Sequence, residues 1–237
     1  MSSRNFTIII NWILDNLIPP ILRDSKIFMY LIMYPAYGRY TKLLFDFKSR
    51  YPRLSKKEID EYYDKIKDAP INLKRKTDLN SQCFTYIIEK CKALGGRELT
   101  ILDAAAGRGA LSEALSQNHT VTAMDIVIPQ MGGWIKGDLL NIPFSDDYFD
   151  VVICTHAIEH IRDWKKAVAE LKRVSKKYVI IIMPCQREYK YTVDLHVNFC
   201  PYLYRFQEVV GESSGEYLKL GGDWVCFLDK DSDMGAV

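Results

Sequence analysis

The chain has 237 residues, 48% hydrophobic and 26% charged, with a formal net charge of +2. Such a composition describes an ordinary soluble globular protein with one sizeable core and room for a small appended unit. The charge is too mild to argue for nucleic acid as a partner, and no internal repeat or low-complexity segment argues for an extended scaffold.

The first apolar run, Phe6 to Leu22, is interrupted by Asn11, Asp15, Asn16 and the Pro19-Pro20 pair, and no small-residue cleavage site follows it. It therefore reads neither as a secretory signal nor as a bilayer span. Between Ile8 and Tyr40 apolar residues recur at helical spacing, as at Ile10, Ile13, Leu14 and Leu17, which predicts short helices broken at the double proline. Ser55 and Glu58 have the spacing of a capping box, so another helix is expected to open there and run to about Lys67. These pieces predict an N-terminal helical cap over residues 1–74. The aromatic run Ile27 to Tyr37 carries two competing readings, an amphipathic element on a membrane surface and a dimer interface. From Lys42 to Lys76 there are 11 Lys or Arg against 6 Asp or Glu. That excess either faces an anionic ligand or forms a solvated helical face.

After Asp78 the pattern changes. A helix from about Ser81 to Leu94 is ended by Gly95-Gly96, and the apolar strand LTILDA follows. Then come a glycine turn, a helix from about Ala110 to Ser116, the strand VTAMDI, a short strand near Trp134 to Lys136, and the strand FDVVICT. A helix from about Ile161 to Val174, the strand YVIIIMP and a helix near Pro201 to Val210 come next. Two strand-like runs, EYLKL and DWVCFL, close the chain through Gly221-Gly222 as a hairpin at the sheet edge. Short apolar strands alternating with helices predict a doubly wound, mostly parallel α/β sheet of Rossmann-like type over residues 75–237, with the hairpin supplying an antiparallel strand. The six cysteines form no C-x-x-C pair, and several sit in apolar runs, which implies a reduced, cytoplasmic setting.

The segment LDAAAGRGALSEAL puts Asp103 at a strand end and Gly107 and Gly109 in the turn before a helix. Ligands of open α/β sheets bind outside the carboxyl ends of the strands, where glycine lets them approach the backbone. Asp125 ends the next strand, where a carboxylate can accept from both hydroxyls of a ribose, and Asp138 follows the third strand, where it could meet an adenine amino group. A nicotinamide cofactor is the nearest rival, but Ala105-x-Gly107-x-Gly109 lacks the G-x-G-x-x-G register.

This order of residues resembles the class I S-adenosylmethionine-dependent methyltransferases of the small-molecule, type 11 (UbiE-like) group. The resemblance rests on the L-D-x-A-x-G-x-G turn, Asp125, the run from Asp138 to Phe144, the FDVVICTHAIEH segment, the helix ending AELKRVSK and the strand ending in Pro184. It implies S-adenosyl-L-methionine as cofactor, held by Asp103, Ala105, Gly107, Gly109, Asp125, Ile126, Asp138, Leu139 and Thr155. The sequence departs from the family pattern at Ala105, which stands where the first glycine of the turn is usual.

His156-Ala-Ile-Glu159-His160 also matches the H-x-x-E-H pattern of a class of zinc peptidase. Those ligands need a helix, whereas Val151 to Thr155 reads as a strand, so the metal reading is set aside and no metal site is expected. The resemblance instead implies catalysis by His160, because some relatives that methylate small phosphorylated amino-alcohols have a histidine at that place. His156 is second, and His196 is a substrate contact or alternate base. Arg75, with Arg50, Arg53 and Lys74, is a candidate phosphate contact. Pro184-Cys185 follows the fifth strand, not the fourth, so a covalent cysteine is not expected, and Cys154-Thr-His-Ala157 lacks the pattern of base N-methylation.

The reading is methyl transfer to an oxygen of a small, anionic acceptor such as a sugar phosphate, nucleotide sugar or phosphorylated surface-polysaccharide unit. A lipophilic quinone precursor and a non-catalytic cofactor-binding scaffold are the alternatives. Peripheral membrane contact and a dimer stay open as partner readings.

Overall fold

The computed structural model describes residues 3–66, 77–94, 98–128, 133–191, 195–212 and 214–232. The chain divides into two compact units, Met1–Arg75 with Gln186–Phe199, and Lys76–Cys185 with Cys200–Val237.

In the first unit the helices are α1 (Ser3–Asn16), α2 (Pro20–Arg23), α3 (Lys26–Tyr37), α4 (Thr41–Arg50) and α5 (Lys56–Ile66). Pro20 opens α2, where a missing N–H costs nothing, and Ser25 caps α3 by accepting from the Phe28 N–H. The capping box before α5 forms as the spacing predicts. The Glu58 carboxylate accepts from the Ser55 N–H at 2.8 Å, and Ser55 Oγ accepts from the Glu58 N–H at 3.4 Å. Leu14, Met29, Met33, Leu44 and Phe47 make the core of this unit together with Tyr189, which reaches it from far along the chain. Tyr189 is tied in at both ends: its hydroxyl donates to Asp15 at 2.6 Å and its carbonyl accepts from Lys48 Nζ at 2.6 Å. Among the described residues no helix is long and apolar enough to cross a membrane.

The second unit contains α6 (Ser81–Leu94), β1 (Thr100–Ala104), α7 (Ala110–Leu115), β2 (Thr120–Asp125), β3 (Trp134–Lys136), β4 (Phe149–Thr155), α8 (Trp164–Val174), β5 (Ser175–Pro184), α9 (Leu203–Val210), β6 (Glu216–Leu220) and β7 (Asp223–Asp229). Its seven strands lie in the order β3-β2-β1-β4-β5-β7-β6. β7 alone is reversed, pairing antiparallel with both β5 and β6. The expected hairpin is present, but only β6 lies at the edge, because β7 inserts beside β5.

The continuous apolar runs follow from burial on both faces of the sheet. Successive side chains alternate: Leu102, Val152, Cys154 and Ile181 pack on one side with α8 and α9, while Ile101, Val151, Ile153 and Ile180 pack on the other with α6 and α7. Helix α8 starts at Trp164, three residues later than its periodicity predicts, because Asp163 caps it by accepting from the Lys166 N–H. The residues before it form a 3-10 turn, Ile158–His160.

Candidate active site

Parallel pairing sets the C-terminal ends of four strands side by side. Asp125 of β2 is in register with Lys136 of β3, and Ala104 of β1 with both Met124 of β2 and Cys154 of β4. The strand order reverses between β1 and β4, which is where open sheets of this kind take their ligands.

The turn after β1 is held by its neighbours. The Ala105 and Ala106 N–H groups both donate to the Met124 carbonyl, at 2.8 and 2.9 Å. Ala105 (φ 67°), Gly107 (φ 59°) and Gly109 (φ 78°) are all left-handed, so Ala105 takes a conformation that costs a side-chain-bearing residue about 1–2 kcal/mol. Ala105, standing where the resembling family has glycine, thus takes a backbone conformation that favours glycine. A Cβ on Gly109 would lie 2.6 Å from Trp134 Cζ2, so the indole closes one side of the turn. Around Gly107 a Cβ would meet nothing within 4 Å. That open space is the room a ligand needs beside the backbone.

Asp125 borders this space. Its Oδ2 accepts from the Gly107 N–H at 2.8 Å and its Oδ1 from the Val127 N–H at 3.1 Å. A carboxylate offers about four acceptor directions, so two remain for hydroxyls of a ribose. Ile126, next in the chain, is exposed and apolar. Asp138 holds its own loop, with Oδ1 accepting from the Leu140 N–H at 3.0 Å, and Leu139 is buried beneath it. These groups fit an adenosyl ligand.

Asp103 is in a different position. Its side chain is buried, and Oδ2 accepts from Ser112 Oγ at 2.5 Å. Burial pushes its carboxyl up to about 6, the nearby charge of Asp125 adds to the rise, and the Ser112 bond opposes it. It braces the strand against α7.

Beyond β4, Thr155 is half-buried and paired with Ile182 of β5. His156 has a left-handed backbone (φ 51°), and its ring is buried between two buried acids. Its Nε2 is 3.1 Å from Asp223 Oδ2, and its Nδ1 is 3.3 Å from Glu159 Oε1. Asp223 Oδ2 also accepts from Asn80 Nδ2 at 2.7 Å, and Asn80 Oδ1 accepts from the Cys83 N–H at the start of α6. One polar chain thus ties α6, the start of β7 and the turn after β4. His160 ends the 3-10 turn and is half-buried, its N–H donating to the Ala157 carbonyl at 3.0 Å. The two histidines are not on an α-helix, which H-x-x-E-H zinc ligation needs.

His196 belongs to the first unit, where its Nδ1 is 2.8 Å from Oε1 of the buried Gln186. Arg75 lies outside the described residues. Sequence reasoning missed Ser112, though its partner Asp103 is near in the chain, and Trp134, Asn80 and Asp223, whose partners are further away. It passed over Glu159 although the H-x-x-E-H motif contains it.

A seven-stranded sheet in this order, with β7 reversed and a glycine turn and acid at the ends of β1 and β2, is the fold of the class I S-adenosylmethionine-dependent methyltransferases. Residues 102–183 match the model of the family described as "Methyltransferase domain" (type 11). That match spans about a third of the chain and points to S-adenosyl-L-methionine as the methyl donor. It is 25% identical over 142 residues to an uncharacterized protein of Methanocaldococcus jannaschii, covering 54% of this chain and 61% of that one. It is 30% identical over 100 residues to the demethylmenaquinone methyltransferase of Renibacterium salmoninarum, covering 38% of this chain and 41% of the relative. The chain thus spans less than two thirds of these curated relatives. Among solved structures it resembles the 1,6-didemethyltoxoflavin-N1-methyltransferase of Burkholderia thailandensis, with 17% identity, a TM-score of 0.49, and 90% of this chain and 91% of that one covered.

Proposed function

We propose that the protein transfers the methyl group of S-adenosyl-L-methionine to an oxygen of a small anionic acceptor. The observation that carries this reading is the convergence of the open Gly107 turn, Asp125 and Asp138 at adjoining strand ends, with His160 on the loop after the next strand. When bound, the sulfonium supplies an electrophilic methyl group. The chain's part is to hold the nucleoside by Asp125 and Asp138, to align the acceptor in line with the methyl group, and to exclude water. A hydroxyl acceptor must also lose its proton, and His160 is our candidate base. His156 is less suited, since both its ring nitrogens already face carboxylates.

The excess of basic residues between Lys42 and Lys76 supports a phosphorylated acceptor: a sugar phosphate, nucleotide sugar or surface-glycan unit. A second reading, a lipophilic quinone precursor, is favoured by the demethylmenaquinone methyltransferase relative and by the exposed apolar side chains between Ile9 and Tyr34.

Release of S-adenosylhomocysteine by the purified protein, measured with phosphorylated sugars and with quinol precursors, separates the two readings. His160→Ala is expected to lower turnover by about 100-fold or more while leaving affinity for S-adenosylhomocysteine unchanged. Equal loss of turnover and affinity, or loss of neither, removes His160 from the mechanism.

A further inference from the structure

Helix α3 is apolar on every side, yet only one side is covered. Met29, Met33 and Tyr37 point into the core of the first unit, while Ile27, Tyr30, Leu31 and Tyr34, at spacings of three and four, form an outward stripe. Leu31 is 68% exposed and Ile27 76%. A helix of this composition is ordinarily buried all round. The two helices before it repeat the feature. Trp12 of α1 is 56% exposed and Leu17 just beyond it 63%, and Ile21 of α2 is 82% exposed with Leu22 beside it. Most of the exposed large apolar side chains among the described residues thus fall in one short stretch, residues 9–34. Scattered single exposures are normal on a protein surface, but a series running through three successive helices is the mark of an interaction face.

Charge selects among the occupants of that face. Residues 1–75 carry 14 Lys and Arg against 8 Asp and Glu, and Lys26, Arg39 and Lys42 are exposed at and just beyond the ends of α3. A second copy meeting this face about a two-fold axis would bring the same cations against one another. Anionic lipid headgroups would attract them. Tryptophan and tyrosine, here Trp12, Tyr30 and Tyr34, are the side chains that settle at headgroup level, with aliphatic neighbours below them.

We propose that the outward faces of α1, α2 and α3 rest on an anionic membrane surface, with Ile21, Ile27 and Leu31 entering the acyl boundary and Lys26, Arg39 and Lys42 meeting headgroup phosphates. Ile21, Ile27, Leu31, Lys26 and Arg39 are not among the groups proposed to hold the donor or take the proton, so the attachment can fail without the methyl-transfer reading failing. It would bring the enzyme to acceptors that are themselves held at the lipid surface.

Flotation of the full chain with phosphatidylcholine vesicles, with and without phosphatidylglycerol, tests the proposal. The protein is expected to float with the phosphatidylglycerol vesicles, to be released by added salt, and to bind pure phosphatidylcholine much less. The double variant Ile21→Glu with Leu31→Glu should lose about tenfold or more of the bound fraction. Its melting temperature and its binding of S-adenosylhomocysteine should be unchanged, since both side chains are exposed. A wild-type chain that stays unbound, or a double variant that floats equally well, overturns the proposal. A concentration-dependent dimer that the same two substitutions abolish, without flotation, also overturns it and gives the face to a second copy.

Discussion

Asp103 shows how one residue can brace a site at a cost to stability. Burial holds its carboxyl at about 6 against an ordinary 3.8, so the folded chain keeps this proton to higher pH than the unfolded chain does. The sign follows by linkage: the folded state binds more protons between these two values, so stability falls as pH rises through them and stays lowered above about 6. The full difference is ~3 kcal/mol. Asp103→Asn removes the charge yet keeps an amide oxygen to accept from Ser112 Oγ. Urea unfolding should find this variant more stable than wild type by about 1–3 kcal/mol near neutral pH, and the gain should vanish near pH 4. A gain of equal size at both pH values would mean that packing, not the buried charge, is responsible. Ala105 and His156 are strained in another way, being non-glycine residues at positive φ on the loops where ligand is expected.

At the scale of elements, α8 holds the loop that carries Asp138. Arg173 Nη1 donates to the Phe144 carbonyl and to Asp146 Oδ1, both at 2.8 Å, and Nη2 donates to the Ile142 carbonyl at 3.0 Å. Glu170, one turn earlier, fixes the guanidinium through Nε at 2.7 Å and accepts from the Ile142 N–H at 2.8 Å. The Glu170 carboxyl is accordingly held below the usual carboxylate range, mainly by the bond from Arg173. The planar fork of arginine reaches separated acceptors from three nitrogens at fixed angles, whereas lysine donates from a single nitrogen. Arg173→Ala is expected to cost about 1–3 kcal/mol in urea unfolding, and Arg173→Lys to restore less than half of that. A loss under about 0.5 kcal/mol would show that these partly exposed contacts exchange with water at no net cost.

For the whole molecule, what the sequence reveals depends on range. The order of strands and helices is legible because the central strands β1, β4 and β5 are runs apolar at both parities and the helices between them carry apolar periodicity. The glycine turn and Asp125 are legible because their spacing is local, Asp125 standing 18 residues past Gly107. Contacts closed over long separations are not. Tyr189 reaches the core of the helical unit across 174 residues from Asp15, in a segment with no periodicity to announce it. One of the two acids facing His156 is Asp223, 67 residues on, so the sequence offers that imidazole as a proton carrier while the fold sets it between carboxylates. The cofactor assignment rests on the local kind of signal and can be tested on the intact chain by linkage. S-adenosylhomocysteine at about 100 times its Kd should stabilise the protein by about 2.7 kcal/mol, which for a chain of this size raises the melting temperature by about 5–10 °C. Asp125→Asn retains an oxygen for the Gly107 N–H but turns its amide nitrogen to the Val127 N–H, so its ligand-free melting should fall modestly and serves as the baseline for the shift. If Asp125 accepts the ribose hydroxyls, most of the ligand-induced rise should disappear in that variant. A full rise in Asp125→Asn would leave the carboxylate as a clamp for the turn and give the ribose to some other group.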